Sequence, residues 1–308
     1  MNKKNKKIEI SSILENMYMN HRKKLLFFPM ILLILSFVTI SLAIQKDGTP
    51  IYRDISLKGG LSTIIEIEQT FSSQELQIKL EENNPDYSFR VVDLIMNSRN
   101  AGYVIDTDLE EEKFMASFEE ITGTKLEYDV NYNSNYISPS LSLAFFKQAI
   151  IILIISFLLM STVIFLYFRE IIPSVAVIVS AIFDIVVTIG ILNLFGINLS
   201  IAGVGALLMI IGYSIDTDVL LANRLLKEKN NEDSNVQKVI NAQYTGTLMS
   251  LTTLAAGVAA LILTNSTIIA EIAIILIIGL LVDYISTWFQ NTVILLSWLE
   301  KKEKNHKN

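Results

Sequence analysis

The stretch FKQAIIILIISFLLMSTVIFLYF at residues 146–168 decides the class of this protein. A helix needs roughly 20 consecutive apolar residues to cross a hydrocarbon core about 30 Å thick. This stretch has that length, and its one charged residue, Lys147, lies near its start. Five further stretches are similar in length and composition. The six predicted membrane-spanning helices, numbered span 1 to span 6 in chain order, cover residues 25–44, 146–168, 171–195, 198–222, 246–265 and 268–298.

The composition of the whole chain agrees with an α-helical membrane protein. Of the 308 residues, 51% are hydrophobic, and the mean hydropathy is +0.46, which is too apolar for an ordinary soluble domain. Cysteine is absent, so disulfides, cysteine-based metal sites and thiol nucleophiles are excluded. Span 1 follows basic residues as a signal peptide does, but its length favours a retained anchor.

Basic residues are concentrated in three segments that fall on one side of the predicted membrane. Residues 1–24 contain seven Lys or Arg residues, residues 224–238 contain four, and residues 299–308 contain four. Basic residues in short loops mark the cytoplasmic side. We therefore predict a multi-pass protein of the cell membrane with both termini in the cytoplasm and residues 45–144 on the extracytoplasmic side.

Residues 45–144 differ from the rest of the chain because they are polar and acidic, with 18 Asp or Glu and 8 Lys or Arg. Apolar periodicity predicts strands at 63–68, 88–95, 102–106 and 125–131 and helices at 72–82 and 109–121, the first helix capped by Ser72 or Ser73. The order βαββαβ predicts a ferredoxin-like domain between spans 1 and 2. The predicted divisions of the chain are a basic N-terminus (1–24), span 1 (25–44), the domain (45–144), a five-helix bundle (145–298) and a tail (299–308).

Four acidic residues within the spans are candidates for carrying a proton or another ion. Asp184 and Asp283 fall near the middle of spans 3 and 6, and Asp216 and Asp218 fall late in span 4. An ionisable group in hydrocarbon is costly and is by default a functional hypothesis. We expect ion coupling first at Asp216, while Asp218 lies closer to the membrane surface, where it can pair with Arg224 or cap the end of the helix. Alternatively, these carboxyls only join helices through hydrogen bonds to Ser or Thr.

Small residues recur in spans 4 and 5, including Gly203, Gly205, Gly212 and Gly257. Since small residues let helix backbones approach closely in a membrane, these glycines are predicted to pack span 4 against span 5. The acidic segment contains no nucleophile beside a base and no metal-ligand spacing. We therefore expect neither an enzyme nor a protein that binds a metal ion or cofactor.

Four motifs occur in the order found in a known family of membrane proteins. They are SLKGG at 56–60, ISPSL at 137–141, FDIVVTIGILNLFGINLS at 183–200 and IGYSIDTDVLLANRLLKE at 211–228. They resemble, in turn, the D-F-x-G-G, V-G-P-x-L, H-D-V-x-x-T-x-G and I-G-Y-S-I-N-D-T-V elements of SecF proteins. Nearly the whole chain therefore resembles the SecF branch of the SecD/SecF protein-export family, in the resistance-nodulation-division superfamily.

The chain departs from the bacterial pattern at positions linked with proton coupling. Asp216, Thr217 and Asp218 stand where bacterial proteins have N-D-T, which resembles the archaeal branch, and Asp216 aligns with the acidic residue of the SecD-type motif. Residues 243–247 contain no Arg, although the matching bacterial region has one, and Phe183 replaces the usual His. The resemblance therefore implies the family without the bacterial Asp–Arg relay.

The resemblance implies a subunit that assists protein export across the cytoplasmic membrane, with an ion gradient as the expected drive. The expected partners are a SecD-like subunit, the Sec translocon, the translocating polypeptide and membrane lipid, with no nucleic acid. Two alternatives stay open. One is half of a small-molecule exporter of the same superfamily, and the other is a purely structural subunit.

Overall fold

Six long apolar helices form a bundle, and an α/β domain is inserted after the first of them. The structure, a computed structural model, describes residues 14–96, 99–227, 234–264 and 266–307, and in these ranges six helices are long and apolar enough to cross a membrane. Each overlaps a predicted span. The helices are Phe27–Asp47 (span 1), Pro139–Phe168 (span 2), Ile171–Leu194 (span 3), Ile201–Leu226 (span 4), Asn235–Leu263 (span 5) and Thr267–Ile285 (span 6).

Spans 2 and 5 begin earlier than the hydropathy of their residues predicts. Ser138 caps span 2 by accepting the Leu141 N–H (3.4 Å), and Ser234 caps span 5 by accepting the Gln237 N–H (3.2 Å). A capped first turn is stable in a polar environment because the side-chain oxygen satisfies a free backbone N–H. Hydropathy detects only the apolar part of such a helix.

The inserted domain is a four-stranded antiparallel sheet with two helices packed on one face. Its core is formed by the apolar sides of the strands and helices, with Leu61, Leu76 and Phe118 all fully buried. The spatial strand order is β2-β3-β1-β4. The elements are α1 (Ile55–Lys58), β1 (Gly60–Ile65), α2 (Ser73–Asn83), β2 (Phe89–Met96), β3 (Arg99–Thr107), α3 (Glu111–Thr122) and β4 (Tyr132–Ile137).

The domain confirms one local prediction and corrects another. Ser72 caps α2 by accepting the Glu75 N–H at 3.2 Å. The strand predicted at 125–131 is wrong, because β4 begins only at Tyr132. The alternation of apolar residues there imitates a strand, but Val130 is 73% exposed, and Asp129 has a φ of 59° within a turn.

The two ends of the bundle are held by different contacts. At one end Arg22 pairs with Glu300 (Nη2 to Oε2, 2.7 Å), and Lys302 pairs with Glu170 of the loop between spans 2 and 3 (2.7 Å). The N-terminal segment 14–25, helical at 14–20 and Arg22–Leu25, packs here through the buried Tyr18. The rest of the predicted N-terminus, residues 1–13, lies outside the described residues.

At the other end, the linker from span 1 to the domain is fastened to the loop between spans 3 and 4. The Asp54 N–H donates to the Leu199 carbonyl (2.9 Å), and the Leu199 N–H donates to the Tyr52 carbonyl (2.8 Å). Glu271, near the start of span 6, accepts the Ser200 N–H at 2.9 Å. The domain is therefore tied to spans 3, 4 and 6 as well as to its own neighbours in the chain.

Candidate functional site

Three carboxyl groups from three different spans lie together inside the bundle. Asp184 of span 3, Asp218 of span 4 and Asp283 of span 6 each have 0% exposure, and Asp184 is within electrostatic range of the other two. We call these three residues the carboxyl cluster. Among the described residues, no Lys, Arg or His forms a salt bridge with any of them.

Neutral side chains from a distorted part of the last helix hold Asp218. After Ile285, span 6 continues as a π-helical segment, Ser286–Asn291, and then as the α-helix Thr292–Lys307. The Asn291 amide donates to Asp218 Oδ1 at 2.6 Å, and the Thr287 hydroxyl donates to the same oxygen at 3.0 Å. Single π-helical turns inside α-helices are frequent at functional sites.

The other two carboxyls accept hydrogen bonds from hydroxyl groups of span 4. Ser214 donates to Asp184 Oδ2 at 2.5 Å, and Thr217 lies 3.1 and 3.0 Å from the two oxygens of Asp283. These contacts join spans 3, 4 and 6 through carboxyl groups whose charge is opposed by no cation in the cluster. Adding or removing one positive charge there changes the electrostatics of the cluster as a whole, because charges interact strongly in a medium of low dielectric constant.

The structure separates the two aspartates of span 4, of which the sequence favours Asp216 for ion coupling. Asp218 belongs to the cluster, and the expectation that it pairs with Arg224 near the surface is corrected by its contacts with Asn291 and Thr287. Asp216 points away from the cluster and is exposed on the outer face of the bundle. Residues two apart on a helix differ by about 200° in direction, so the two carboxyls face opposite ways.

The predicted packing glycines do not join spans 4 and 5. A Cβ atom at Gly203 would collide with Glu271 of span 6, and one at Gly257 would lie 3.2 Å from Ile277 of span 6. Gly205 and Gly212 have no atom of the described residues within 4 Å of their Cβ positions, and they lie on the outer face beside Asp216. The prediction is corrected accordingly, since the tight contacts are with span 6 and two of the four glycines are uncovered.

The neutral donors of the cluster were not among the residues predicted from the sequence. Thr287 and Asn291 lie four residues apart in an otherwise apolar helix and are both fully buried. Their spacing is a signal that sequence inspection can find, because residues i and i+4 share a helix face. The π-helical geometry that directs them both to Asp218 has no comparable sequence signal.

A second group of charged side chains lies in the domain, close to the linker. Arg90 Nη1 is 3.1 Å from Asp54 Oδ1 and 3.9 Å from Asp106 Oδ2, and Ser62 donates to Asp106 Oδ1 at 2.7 Å. Burial, together with the neighbouring Asp54 carboxylate, raises the pKa of Asp106 to about 6. Unlike the carboxyl cluster, this group contains its own cation.

Sequence comparison identifies the family. The family described as "Protein export membrane protein SecD/SecF, C-terminal" matches residues 118–301, more than half of the chain. The chain belongs to the SecD/SecF family. It is 36% identical over 283 residues to the protein-export membrane protein SecF of Methanolacinia petrolearia, covering 91% of this chain and 94% of that protein. SecF of Methanocaldococcus jannaschii is 34% identical over 87% of this chain and 92% of its own length.

Solved structures show that the fold is that of this family. The crystal structure of SecDF from Thermus thermophilus, titled a translocon-associated membrane protein, superposes with a TM-score of 0.70 at 20% identity. SecDF in a super-membrane-facing form gives a TM-score of 0.62 at 19% identity. This SecD/SecF family member spans 38% and 40% of those two chains, which cover 91% and 94% of it. It is therefore a multi-pass membrane protein with the fold of part of SecDF.

Proposed function

We propose that this protein is a SecF subunit that assists polypeptide export across the cytoplasmic membrane. The observation that carries the proposal is the similarity to proteins named SecF over nearly the full length of both chains. The motifs of spans 3 and 4 support the same function. In this reading the protein is a transport subunit without enzymatic activity, and the apolar outer faces of its spans contact membrane lipid.

The partner is proposed to be a separate SecD-like subunit. The solved SecDF chains are much longer than this protein, which matches about two fifths of their length. The outer face of span 4, formed by Gly205, Met209, Gly212 and Asp216, supports a docking site for that subunit. Exposure of an aspartate to hydrocarbon is unfavourable in free energy, and a partner helix would shield Asp216 from lipid. The two glycines would allow that helix to pack closely against span 4.

We infer that the domain is a ferredoxin-like sandwich on the extracytoplasmic side. The spatial strand order β2-β3-β1-β4, with α2 and α3 on one face, supports the fold. Along the chain, strands and helices follow the order βαββαβ of a ferredoxin-like domain. The basic segments support the orientation. The contact of Arg22 with Glu300 and that of Lys302 with Glu170 also support a common side for both termini. The domain would contact the emerging polypeptide or the partner's own domain near the translocon.

The carboxyl cluster is proposed to couple an ion gradient to movement of the domain. Ion binding can drive movement only if two states of the bundle bind the ion with different affinity. A change of charge at Asp184 would alter its contact with Ser214, which joins spans 3 and 4. Leu199, in the loop that joins those spans, is bonded to the linker of the domain, so a shift of the spans would be transmitted to the domain.

The test combines co-purification with an export assay. The protein is expressed with the SecD-like subunit, which carries the affinity tag, and export of a secretory protein into inverted membrane vesicles is measured with and without an ion gradient. We expect the two subunits to co-purify and the gradient to increase export only when both are present. A drug-resistance defect without an export defect would instead support a small-molecule exporter. Export that never depends on the gradient would support a purely structural subunit.

A further inference from the structure

A cavity of about 370 Å³ lies where the inserted domain meets the membrane bundle. Its walls come from the end of span 1, the linker to the domain, α1, the sheet and α2 of the domain, and the loop between spans 3 and 4. Pockets that bind small molecules have volumes of roughly 300–1,000 Å³. Four basic and four acidic side chains line this cavity, so it is neutral as a whole but rich in charge.

Two of the basic side chains lie at the membrane end of the cavity. Lys46 is in the last turn of span 1, and its Nζ lies 5.7 Å from the centre of the Tyr52 ring. Arg53 Cζ lies 5.0 Å from the centre of the ring of Phe146, a residue of span 2. Neither cation forms a salt bridge with an acidic side chain of the described residues. This end of the cavity therefore presents two positive charges at the membrane surface.

A salt bridge between the linker and the domain neutralises one further charge of each sign. Arg90 Nη1 is 3.1 Å from Asp54 Oδ1, whereas its distance to Asp106 Oδ2 is 3.9 Å. The shorter distance is that of a direct hydrogen bond and the longer one is not. The charge of Asp106 is therefore only partly balanced by Arg90.

The remaining charged side chains of the cavity belong to its domain side, where acidic residues are in excess. Asp106 and Asp108 lie at the end of β3, Glu81 is in α2, and Lys58 is the one cation left on this side among the described lining residues. Lys58 Nζ donates to Ser88 Oγ at 3.1 Å and is 3.9 Å from Asp108 Oδ2. Three carboxyl groups thus stand against one cation.

This separation of charge selects a ligand that carries both signs. Lys and Arg side chains favour a phosphate group at the membrane end. The carboxylates on the domain side favour a primary ammonium group, which offers three N–H donors as the Lys side chain does. The headgroup of an amine-bearing phospholipid has the same order, because its phosphate is next to the glycerol and its amine lies farther from the hydrocarbon.

We propose that the cavity binds the headgroup of a phospholipid that carries a primary amine, with the phosphate at Lys46 and Arg53 and the ammonium group at Asp106 and Asp108. A soluble phosphate ester of an amino alcohol has the same charges, but the position of Lys46 at the end of a membrane span favours the lipid. A bound headgroup would join the domain to the bundle. The site is separate from the carboxyl cluster, and its occupancy requires neither a partner nor protein export.

The test is titration of the purified full chain with single lipids, followed by native mass spectrometry at neutral pH. Phosphatidylethanolamine, phosphatidylcholine and phosphatidylglycerol with identical acyl chains are compared. We expect phosphatidylethanolamine to bind about tenfold more tightly than the other two, because charge-assisted hydrogen bonds are strong. The quaternary amine of phosphatidylcholine has no N–H donor, and phosphatidylglycerol has no amine.

Two variants test the direction in which the headgroup is bound. Lys46→Gln should weaken binding of both phosphatidylethanolamine and phosphatidylglycerol by about fivefold, because each loses a contact with its phosphate. Asp108→Asn should weaken binding of phosphatidylethanolamine by a similar factor and leave phosphatidylglycerol unchanged. Lys125→Gln, at an exposed position of the domain outside the cavity, is the matched control and should bind as the wild type does.

Several results would overturn the proposal. Equal affinity of the wild type for the three lipids would contradict recognition of the amine, and equal losses in Lys46→Gln and Lys125→Gln would contradict the phosphate contact. Soluble glycerophosphoethanolamine should displace the lipid only in large excess; displacement at equal concentration would overturn the lipid as the ligand. If Asp108→Asn does not fold, the exposed Lys46→Gln and the lipid series on the wild type decide.

Discussion

The two faces of span 4 carry similar residues in opposite surroundings. One face has Ser214 and Asp218, fully buried against spans 3 and 6, and the other has Gly212 and Asp216, both exposed. Each face thus combines a small residue with a carboxyl. The difference shows that in a membrane protein the position of a charge in the sequence does not reveal its role. The buried face holds a site within the chain, and the open face is suited to a partner.

The largest expected effect comes from filling the inner face. Gly203→Leu should destabilise the chain by about 3 kcal/mol, because the side chains of Glu271, Leu199 and Ile275 already surround its Cβ position and overpacking of a filled interior is costly. Gly205→Leu on the open face is the matched control. The measurement is the thermal unfolding midpoint of each purified variant. Equal midpoints for both variants would contradict the difference between the faces.

Removing one neutral donor from the cluster should have the next largest effect. Thr287→Val keeps the shape of the side chain but removes a hydrogen bond to Asp218 (3.0 Å), which should cost about 2 kcal/mol because the acceptor is a buried carboxyl. Thr252→Val, on the exposed part of span 5, is the control. A midpoint for Thr287→Val that matches the control would show that the Thr287 hydroxyl does not stabilise the buried Asp218 carboxyl.

A smaller effect is expected for association with the partner. Gly212→Leu should leave the stability of the isolated chain unchanged, since nothing lies near its Cβ position, but should weaken binding of the SecD-like subunit by about tenfold, or about 1.4 kcal/mol. Binding is measured by titrating labelled partner in nanodiscs. Unchanged affinity would exclude the open face of span 4 as the docking surface.

The smallest expected effect concerns the charged group of the domain. This group differs from the buried carboxyls of span 4 and its neighbours because it contains a cation, Arg90. The pKa of Asp106 is raised to about 6 from an ordinary 3.8, so the folded state binds a proton more tightly than the unfolded state. Protonation therefore stabilises the folded chain below pH 4, and this contribution is lost as the pH rises through 6.

Asp106→Asn removes this dependence on pH. Relative to the wild type, the variant should gain about 1 kcal/mol on going from pH 5 to pH 6. Thermal unfolding of both chains across this range checks it. A constant difference between wild type and variant would show that Asp106 titrates in the folded state as it does in the unfolded state.

The sequence is sufficient to predict the membrane spans but not the composition of the carboxyl cluster. Hydropathy locates all six spans because length and apolarity are local properties, and the cap at Ser72 is likewise local. Helical geometry also requires that Asp216 and Asp218 face opposite ways. It does not say which one is buried, because apolar residues cover both faces of a membrane helix. The role of Asn291 depends on a π-helical turn, and the start of β4 depends on a turn at Asp129. Apolar periodicity predicts neither turn.

The most direct test of the account is gradient-dependent export by the reconstituted pair, comparing Asp218→Asn with Asp216→Asn. Both variants are first shown to fold and to co-purify with the SecD-like subunit. We expect Asp218→Asn to reduce export with a gradient to the level seen without one, and Asp216→Asn to keep its response to the gradient. The reverse pattern, or an unchanged response in Asp218→Asn, would contradict the assignment of ion coupling to the buried carboxyl cluster.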